Sequence, residues 1–148
     1  MRADFYIVDE AKLPSAAAEG TAAGTPGAII ADIRRHGVLW REEPAEIEEF
    51  LATFKALDPF TGGGDFIVDL AFAGSPHLLL AKQPGPWRLG YFEESLVPHL
   101  NAVFEQLDGE IGKAIASVGP VATNLYQSLR SAFEEAASRK AAVAILHN

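Results

Sequence analysis

Apolar and acidic positions recur with a helical period between Arg41 and Leu57. At 100° per residue, one face collects the apolar side chains of Ile47, Phe50, Leu51, Phe54 and Leu57. A stripe beside that face collects Glu42, Glu46, Glu49 and Thr53. Pro44 suits the first turn of such a helix, where a missing N–H costs no hydrogen bond. The pattern therefore predicts an amphipathic helix over 41–57 that turns a row of carboxylates towards its surroundings.

Three more segments with helical spacing follow in the C-terminal third of the chain. They are Ser95–Leu107, Glu110–Val118 and Val121–Ser138, and the last of them has the most regular apolar face. Ser95 can cap the first of these helices. Arg139 and Lys140 complement the dipole at the end of the last one. Ala141–Leu146 is apolar at every position, which indicates a strand inside a sheet rather than at its edge.

The first forty residues predict a strand, a loop and a short helix. Asp4–Val8 is β-branched and aromatic, which favours a strand. Residues 14–27 are rich in Ala, Gly, Ser and Thr, and this composition favours a flexible loop over a weak helix. Pro26–His36 places three isoleucines on one face before Gly37, so we expect a helix that stops at this glycine. Val38–Trp40 fits a brief extended piece.

The middle of the chain gives weaker signals. Asp58–Gly64 interrupts regular structure. Asp65–Phe72 fits a strand by its β-branched content, and it equally fits a short buried helix capped by Asp65. His77–Lys82 indicates a strand that ends at a proline-rich turn, and Trp87–Phe92 indicates a further strand or extended segment.

Together these elements predict one α+β domain over residues 1–148. About four to five helices pack on a small sheet, in which the N-terminal and C-terminal strands are neighbours. A chain of 148 residues is long enough to bury a stable hydrophobic core without disulfide bonds or a structural metal ion.

The charge balance narrows the classes of partner. There are 20 acidic residues against 12 Lys and Arg, a formal net charge of −8. Such a chain is poorly suited to nucleic acid or to anionic membranes, so we expect neither as a partner. The apolar runs are too short for a membrane span, and the N-terminus lacks the apolar core of a signal peptide, so we expect a cytoplasmic protein. Cysteine is absent, which excludes disulfides and thiolate chemistry.

No local motif predicts catalysis, a metal or a cofactor. His36, His77, His99 and His147 are far apart in sequence and form no ligand pair. The glycine run 62–64 is followed by Asp65 rather than by the Lys and Ser or Thr of a phosphate loop, so we interpret it as a turn. Ser75 lies two residues before His77 but lacks the flanks of a nucleophile elbow. His99 and His147 are interpreted as structural or incidental, the latter in a frayed tail.

The carboxylates of the predicted 41–57 helix are better suited to recognition than to chemistry. Acid–base work needs a cleft that raises one carboxyl pKa, and a solvated helix face provides none. Carboxylates near a helix start also stabilise its dipole, which is a purely structural reason for them. A binding role would use Glu42, Glu46 and Glu49, with Trp40 as an interface anchor or alternatively as part of the core.

Three segments resemble a known bacterial family. They are FYIVDEAKL, GYFEESLVPHLNAVFEQL and LYQSLRSAFEEAASRKAAVAIL, and they resemble in order the YfbM-like proteins of unknown function. The resemblance covers about a third of the chain and implies a mixed α/β fold. That family has no established catalytic residues to carry over. In size, charge and composition the chain also resembles immunity proteins, which neutralise toxins of neighbouring bacteria.

Three hypotheses of function follow from the sequence. The first is a non-enzymatic bacterial binding protein, of the immunity type, that inhibits a basic toxin. The second is a small enzyme or ligand-binding domain with a site near Asp65, Asp69, His77 and His99, since these ionisable residues lie within or beside apolar segments. The third is a subunit of a larger assembly, and the sequence leaves the oligomeric state open.

Overall fold

The computed structural model describes residues 1–13, 26–73 and 89–148. These residues form four strands, six α-helices and two short 3-10 turns. The strands are β1 (Arg2–Val8), β2 (Val38–Pro44), β3 (Leu89–Phe92) and β4 (Ala142–His147). The helices are α1 (Pro26–His36), α2 (Ile47–Leu57), α3 (Phe66–Ala73), α4 (Val97–Gln106), α5 (Asp108–Val118) and α6 (Pro120–Arg139). This confirms the predicted single α+β domain, with one helix more than expected.

The described strands form one antiparallel sheet in the order β2-β1-β4-β3. β1 and β4 pair directly, with Phe5 opposite Ile145, so the predicted contact between the first and last strands is confirmed. All six residues of β4 are buried. Its sequence, apolar from Ala142 to Leu146, fits this central position, because both of its faces are covered.

The larger core lies on the sheet face that carries Phe5, Ile145 and Phe92. Helix α6 supplies its longest apolar stripe, including Leu125, Leu129, Ala132, Phe133 and Ala136. The Phe133 ring lies 5.1 Å from that of Phe92 and 5.4 Å from that of Phe104, both edge to face. Such aromatic pairs contribute beyond the area they bury. This contact fixes α6 against both the sheet and α4.

The opposite sheet face has a smaller core. There Tyr91, Ala144 and Leu146 contact Ile29 and Ile33 of α1. Gly37 ends α1 as predicted, and its N–H donates to the Ile33 carbonyl at 2.7 Å. A Cβ at Gly37 would lie 2.6 Å from that oxygen, so a larger residue cannot stop the helix in this way.

The most consequential error of the sequence prediction lies between residues 41 and 46, whereas Val38–Trp40 is extended as predicted. Glu42 and Pro44 were expected in the first turn of a helix, but they belong to β2, and α2 begins at Ile47. Two features explain this. A residue that precedes proline is disfavoured in the helical region, and proline is acceptable at the end of an edge strand, where its missing N–H breaks no ladder bond. Helix α2 therefore starts six residues later than predicted from Arg41.

Other predictions fare differently. The ambiguous segment at 65–72 is helical, as α3, and Asp65 precedes it with a φ of 63°. His147 is not in a frayed tail: it is 4% exposed in β4, with its ring 4.1 Å from that of Phe50 and 5.7 Å from that of Phe72. Of the predicted loop at 14–27, residues 14–25 lie outside the described part, and 26 and 27 open α1. The predicted strand His77–Lys82 also lies outside it.

The glycine run is a turn, as interpreted from the sequence. Gly62, Gly63 and Gly64 have φ values of 110°, 72° and 68°, which side chains other than glycine rarely adopt. The turn is held by Asp58, whose carbonyl accepts from the Gly63 N–H at 2.9 Å and whose carboxylate accepts from the Asp65 N–H at 3.1 Å. Glycine is needed here for its backbone conformation.

Candidate protein-binding surface

The acidic residues singled out by the sequence lie where β2 passes into α2. Glu46 is the residue before the helix, and its backbone N–H donates to the Glu49 carboxylate at 3.0 Å. This is the return bond of a capping box, and it occupies one helix-end donor. The spacing from Glu46 to Glu49 is visible in the sequence, and it could have located the true helix start.

The predicted stripe is divided between two elements. Glu42 lies on β2 opposite Asp4 of β1, and Arg2 approaches both, at 2.6 Å from Asp4 and 3.9 Å from Glu42. Glu46 and Glu49 lie at the start of α2, and Thr53 is buried, with its hydroxyl donating to the Glu49 carbonyl at 2.7 Å. The prediction of one continuous stripe through Glu42, Glu46, Glu49 and Thr53 is therefore wrong.

The carboxylates at the start of α2 are only weakly neutralised. Glu46 and Glu48 are exposed, and Glu49 is half-buried. The N-terminal amino group lies 3.6 Å from the Glu46 carboxylate. Within the described part of the chain, no Lys, Arg or His side chain comes within 4.0 Å of Glu48 or Glu49. We call Glu46, Glu48 and Glu49 the acidic rim.

Glu43 differs from its acidic neighbours because it turns inward. Its carboxylate accepts a hydrogen bond at 2.6 Å from the hydroxyl of Ser128, a buried residue on α6. Charge-assisted bonds of this kind are stronger than neutral ones. Glu43 therefore attaches β2 to α6 and is not available to a partner.

Trp40 makes a second attachment between β2 and α6. It is the extra residue of a β-bulge, because Phe5 pairs with Arg41 while Tyr6 pairs with Leu39. Its indole N–H donates to the Ser131 hydroxyl at 2.9 Å. The guanidinium carbons of Arg41 and Arg139 each lie 5.5 Å from the centre of its rings, within reach for cation–π attraction. The sequence allowed two roles for Trp40, an interface anchor or a core residue. In the structure, its hydrogen bond and its cation–π contacts are made within the protein itself.

An apolar groove adjoins the acidic rim. It has a volume of about 300 Å³ and lies between the first turns of α2 and the junction of α5 with α6. Its lining consists of Glu48, Glu49, Ala52, Val118, Gly119, Pro120, Val121 and Ala122. Val118 is 42% exposed at this junction. Gly119 turns the chain there with a φ of 147°, and Pro120 starts α6. No local pattern in the sequence indicates this groove, because two segments far apart in the chain, 48–52 and 118–122, build it.

A larger pocket with a mixed polar and apolar lining, of about 460 Å³, lies between α5 and α6. At its wall, the Asp108 carboxylate accepts from the Tyr126 hydroxyl at 2.9 Å and pairs with Arg130 at 2.6 Å. The bond from Tyr126, and then that from Arg130, lowers the pKa of Asp108. Burial, and then the bond to Asp108, raises the pKa of Tyr126. The i to i+4 spacing of Tyr126 and Arg130 was visible in the sequence, but their shared partner Asp108, 18 residues before Tyr126, was not.

Those residues of the alternative site that the structure describes are exposed side chains on or beside two different helices. Asp65 and Asp69 are exposed around the start of α3, and His99 is exposed on α4. His77 and Ser75 lie outside the described residues. Among the described residues, no group of three or more His, Asp or Glu is arranged to hold a metal ion.

No family model, curated protein or solved structure matches the chain. The resemblance to YfbM-like and immunity proteins thus stays a prediction. In the part of the chain that is described, no helix is both long and apolar enough to cross a membrane.

Proposed function

We propose that this protein is a non-enzymatic protein-binding module, and that it recognises a basic partner through the acidic rim. The observation that carries the proposal is the concentration of Glu46, Glu48 and Glu49 in one helix start with little neutralisation. Exposed carboxylates on a chain of net charge −8 attract cationic surfaces and accelerate their encounter. Glu42 extends this negative charge onto the neighbouring strand.

The form of this function that we favour is an immunity-type inhibitor of a basic toxin, acting in the bacterial cytoplasm. Such an inhibitor works by covering the toxin, so its requirements are charge and shape complementarity rather than a reacting group. Size, acidity and the resemblance of the chain to immunity proteins support this form. Internal bonds at Trp40 and Glu43 support it too, because they hold β2 and α6 together beside the rim.

The test starts from partner capture and continues with matched charge variants. A tagged full-length chain is mixed with lysate of the native source at low salt, and proteins released by a salt gradient are identified by mass spectrometry. The identified protein is then titrated with wild type and with a triple variant, called the rim variant, which changes two residues of the acidic rim and the neighbouring Glu42: Glu42→Lys, Glu46→Lys and Glu48→Lys. Glu49 is retained because it caps α2.

The control variant carries Glu105→Lys, Glu110→Lys and Glu134→Lys, which are exposed acids on other helices and give the same change of net charge. We expect the rim variant to associate about tenfold more slowly at low salt, and the difference to shrink as salt screens the charges. The control should retain most of the rate. Equal rates for the rim variant and wild type would contradict the proposal.

A further inference from the structure

We infer that the apolar groove beside the acidic rim receives one apolar side chain of the basic partner, which is flanked on the partner by Lys or Arg. This inference rests on the proposed function, and it defines the partner's chemistry more closely. It predicts a short motif with an apolar residue between cationic ones, rather than a diffuse positive surface.

The first argument is the juxtaposition of apolar and charged walls. Ala52, Val118, Pro120 and Val121 supply apolar surface, while Glu48 and Glu49 lie along one side of the same groove. An apolar side chain gains by leaving water in such a place, whereas a lone cation would be better solvated outside it. The two walls together therefore fit a segment that carries both kinds of group.

The second argument is size and access. About 300 Å³ accommodates one large apolar side chain, and at 42% exposure Val118 leaves apolar surface in water next to that space. Interface energy concentrates in a few apolar anchors that fill pockets, and charged rims contribute mainly to encounter rate and register. The groove would then control how long the partner stays, and the rim how fast it arrives.

The third argument excludes the anchor suggested by the sequence. Trp40 is half-buried, and its indole N–H already donates to Ser131. Two arginines lie near its rings, so a basic partner would meet positive charge there. The groove is bordered instead by the carboxylates of Glu48 and Glu49. It therefore complements a cationic motif better than the surroundings of Trp40 do.

The experiment uses two synthetic pentapeptides with blocked ends as probes. One has a phenylalanine between two pairs of lysines, and the other has a serine in the same place. Each is titrated at low salt into the isotopically labelled full-length protein, and amide shifts are followed by two-dimensional NMR. We expect both peptides to shift amides of the acidic rim, and only the phenylalanine peptide to shift those of Ala52, Val118 and Val121.

Affinity provides the quantitative part of the test. Burial of much of a phenylalanine side chain should make that peptide bind about five- to tenfold more tightly than the serine peptide. Val118→Ser should remove most of this ratio. The matched control is Val38→Ser, since Val38 is 48% exposed, on the edge strand β2. It should keep the ratio, and the dispersion of amide shifts reports whether each variant is folded.

The outcomes separate the two proposals. If both peptides bind equally and shift only the rim, the acidic surface is retained and the groove is refuted. If Val118→Ser leaves the affinity ratio unchanged in a folded protein, the groove is also refuted. If neither peptide causes shifts at the rim or the groove, recognition of basic partners by this surface fails, and the groove inference fails with it.

Discussion

Replacement of Trp40 by phenylalanine removes one hydrogen-bond donor from the contact between β2 and α6. The donor reaches the Ser131 hydroxyl at 2.9 Å, and such a bond contributes about 0.5–1.5 kcal/mol net. The smaller ring also loses apolar contact and attracts Arg41 and Arg139 less strongly, which adds about 0.5–1 kcal/mol at a half-exposed site. We therefore expect the free energy of unfolding to fall by about 1–2.5 kcal/mol.

The assay is urea unfolding followed by far-ultraviolet circular dichroism, because fluorescence would change with the loss of a tryptophan. A double-mutant cycle with Ser131→Ala isolates the bond, and the expected coupling is about 1 kcal/mol. Ser117→Ala is the control for helix propensity, since Ser117 is exposed on α5 and bonds only within its own helix. A coupling below about 0.3 kcal/mol would refute the view that Trp40 fastens the edge strand.

Two further predictions test the packing and the polar cluster. Gly90→Ala should destabilise the fold by about 2 kcal/mol or more in the same urea assay, since a Cβ there would lie 2.5 Å from the Ala71 carbonyl oxygen. The control is Gly112→Ala on α5, where nothing lies within 4 Å of the added Cβ. This substitution should be neutral or stabilising. Equal effects would contradict close packing of α3 on β3. Asp108→Asn should reduce stability at neutral pH by less than about 1 kcal/mol, because the side chain is 53% exposed. The folded-state pKa of Asp108 is lowered, so wild type should hold this advantage above the unfolded pKa of about 3.9 and lose it as the pH falls through the folded value. An advantage that persists in acid would contradict the pairing with Tyr126 and Arg130.

The sequence predicted the elements whose periodicity is uninterrupted. Pro26–His36 forms a helix with the predicted bounds, and Val121–Ser138 lies within α6. The wholly apolar run at 141–146 correctly indicated a central strand. In each case the spacing of apolar residues and their burial in the fold favour the same structure, so tertiary contacts do not override the local preference.

The sequence predicted only Val38–Trp40 as extended, and the rest of β2 escaped prediction for a physical reason. Its bulge at Trp40 inserts one residue, and this shifts the alternation on which a strand is recognised. Val38 and Leu39 are both exposed, so no apolar period remains. Pairing with β1, which no local pattern encodes, decides the conformation. The candidate groove was missed in a similar way, because its walls come from parts of the chain that meet only after folding.

The position of β4 has a consequence for the order in which the protein can mature. β4 separates β1 from β3 in the sheet, and of the four described strands it is synthesised last, so Phe5 can pair with β4 only after Ile145 has been made. Contacts so distant in sequence are costly to close and slow to form. On the ribosome, the edge of β1 that pairs with β4 therefore stays unpaired until residues 142–147 have been made. A protein of this design completes its sheet only when its central strand is added, rather than strand by strand along the chain.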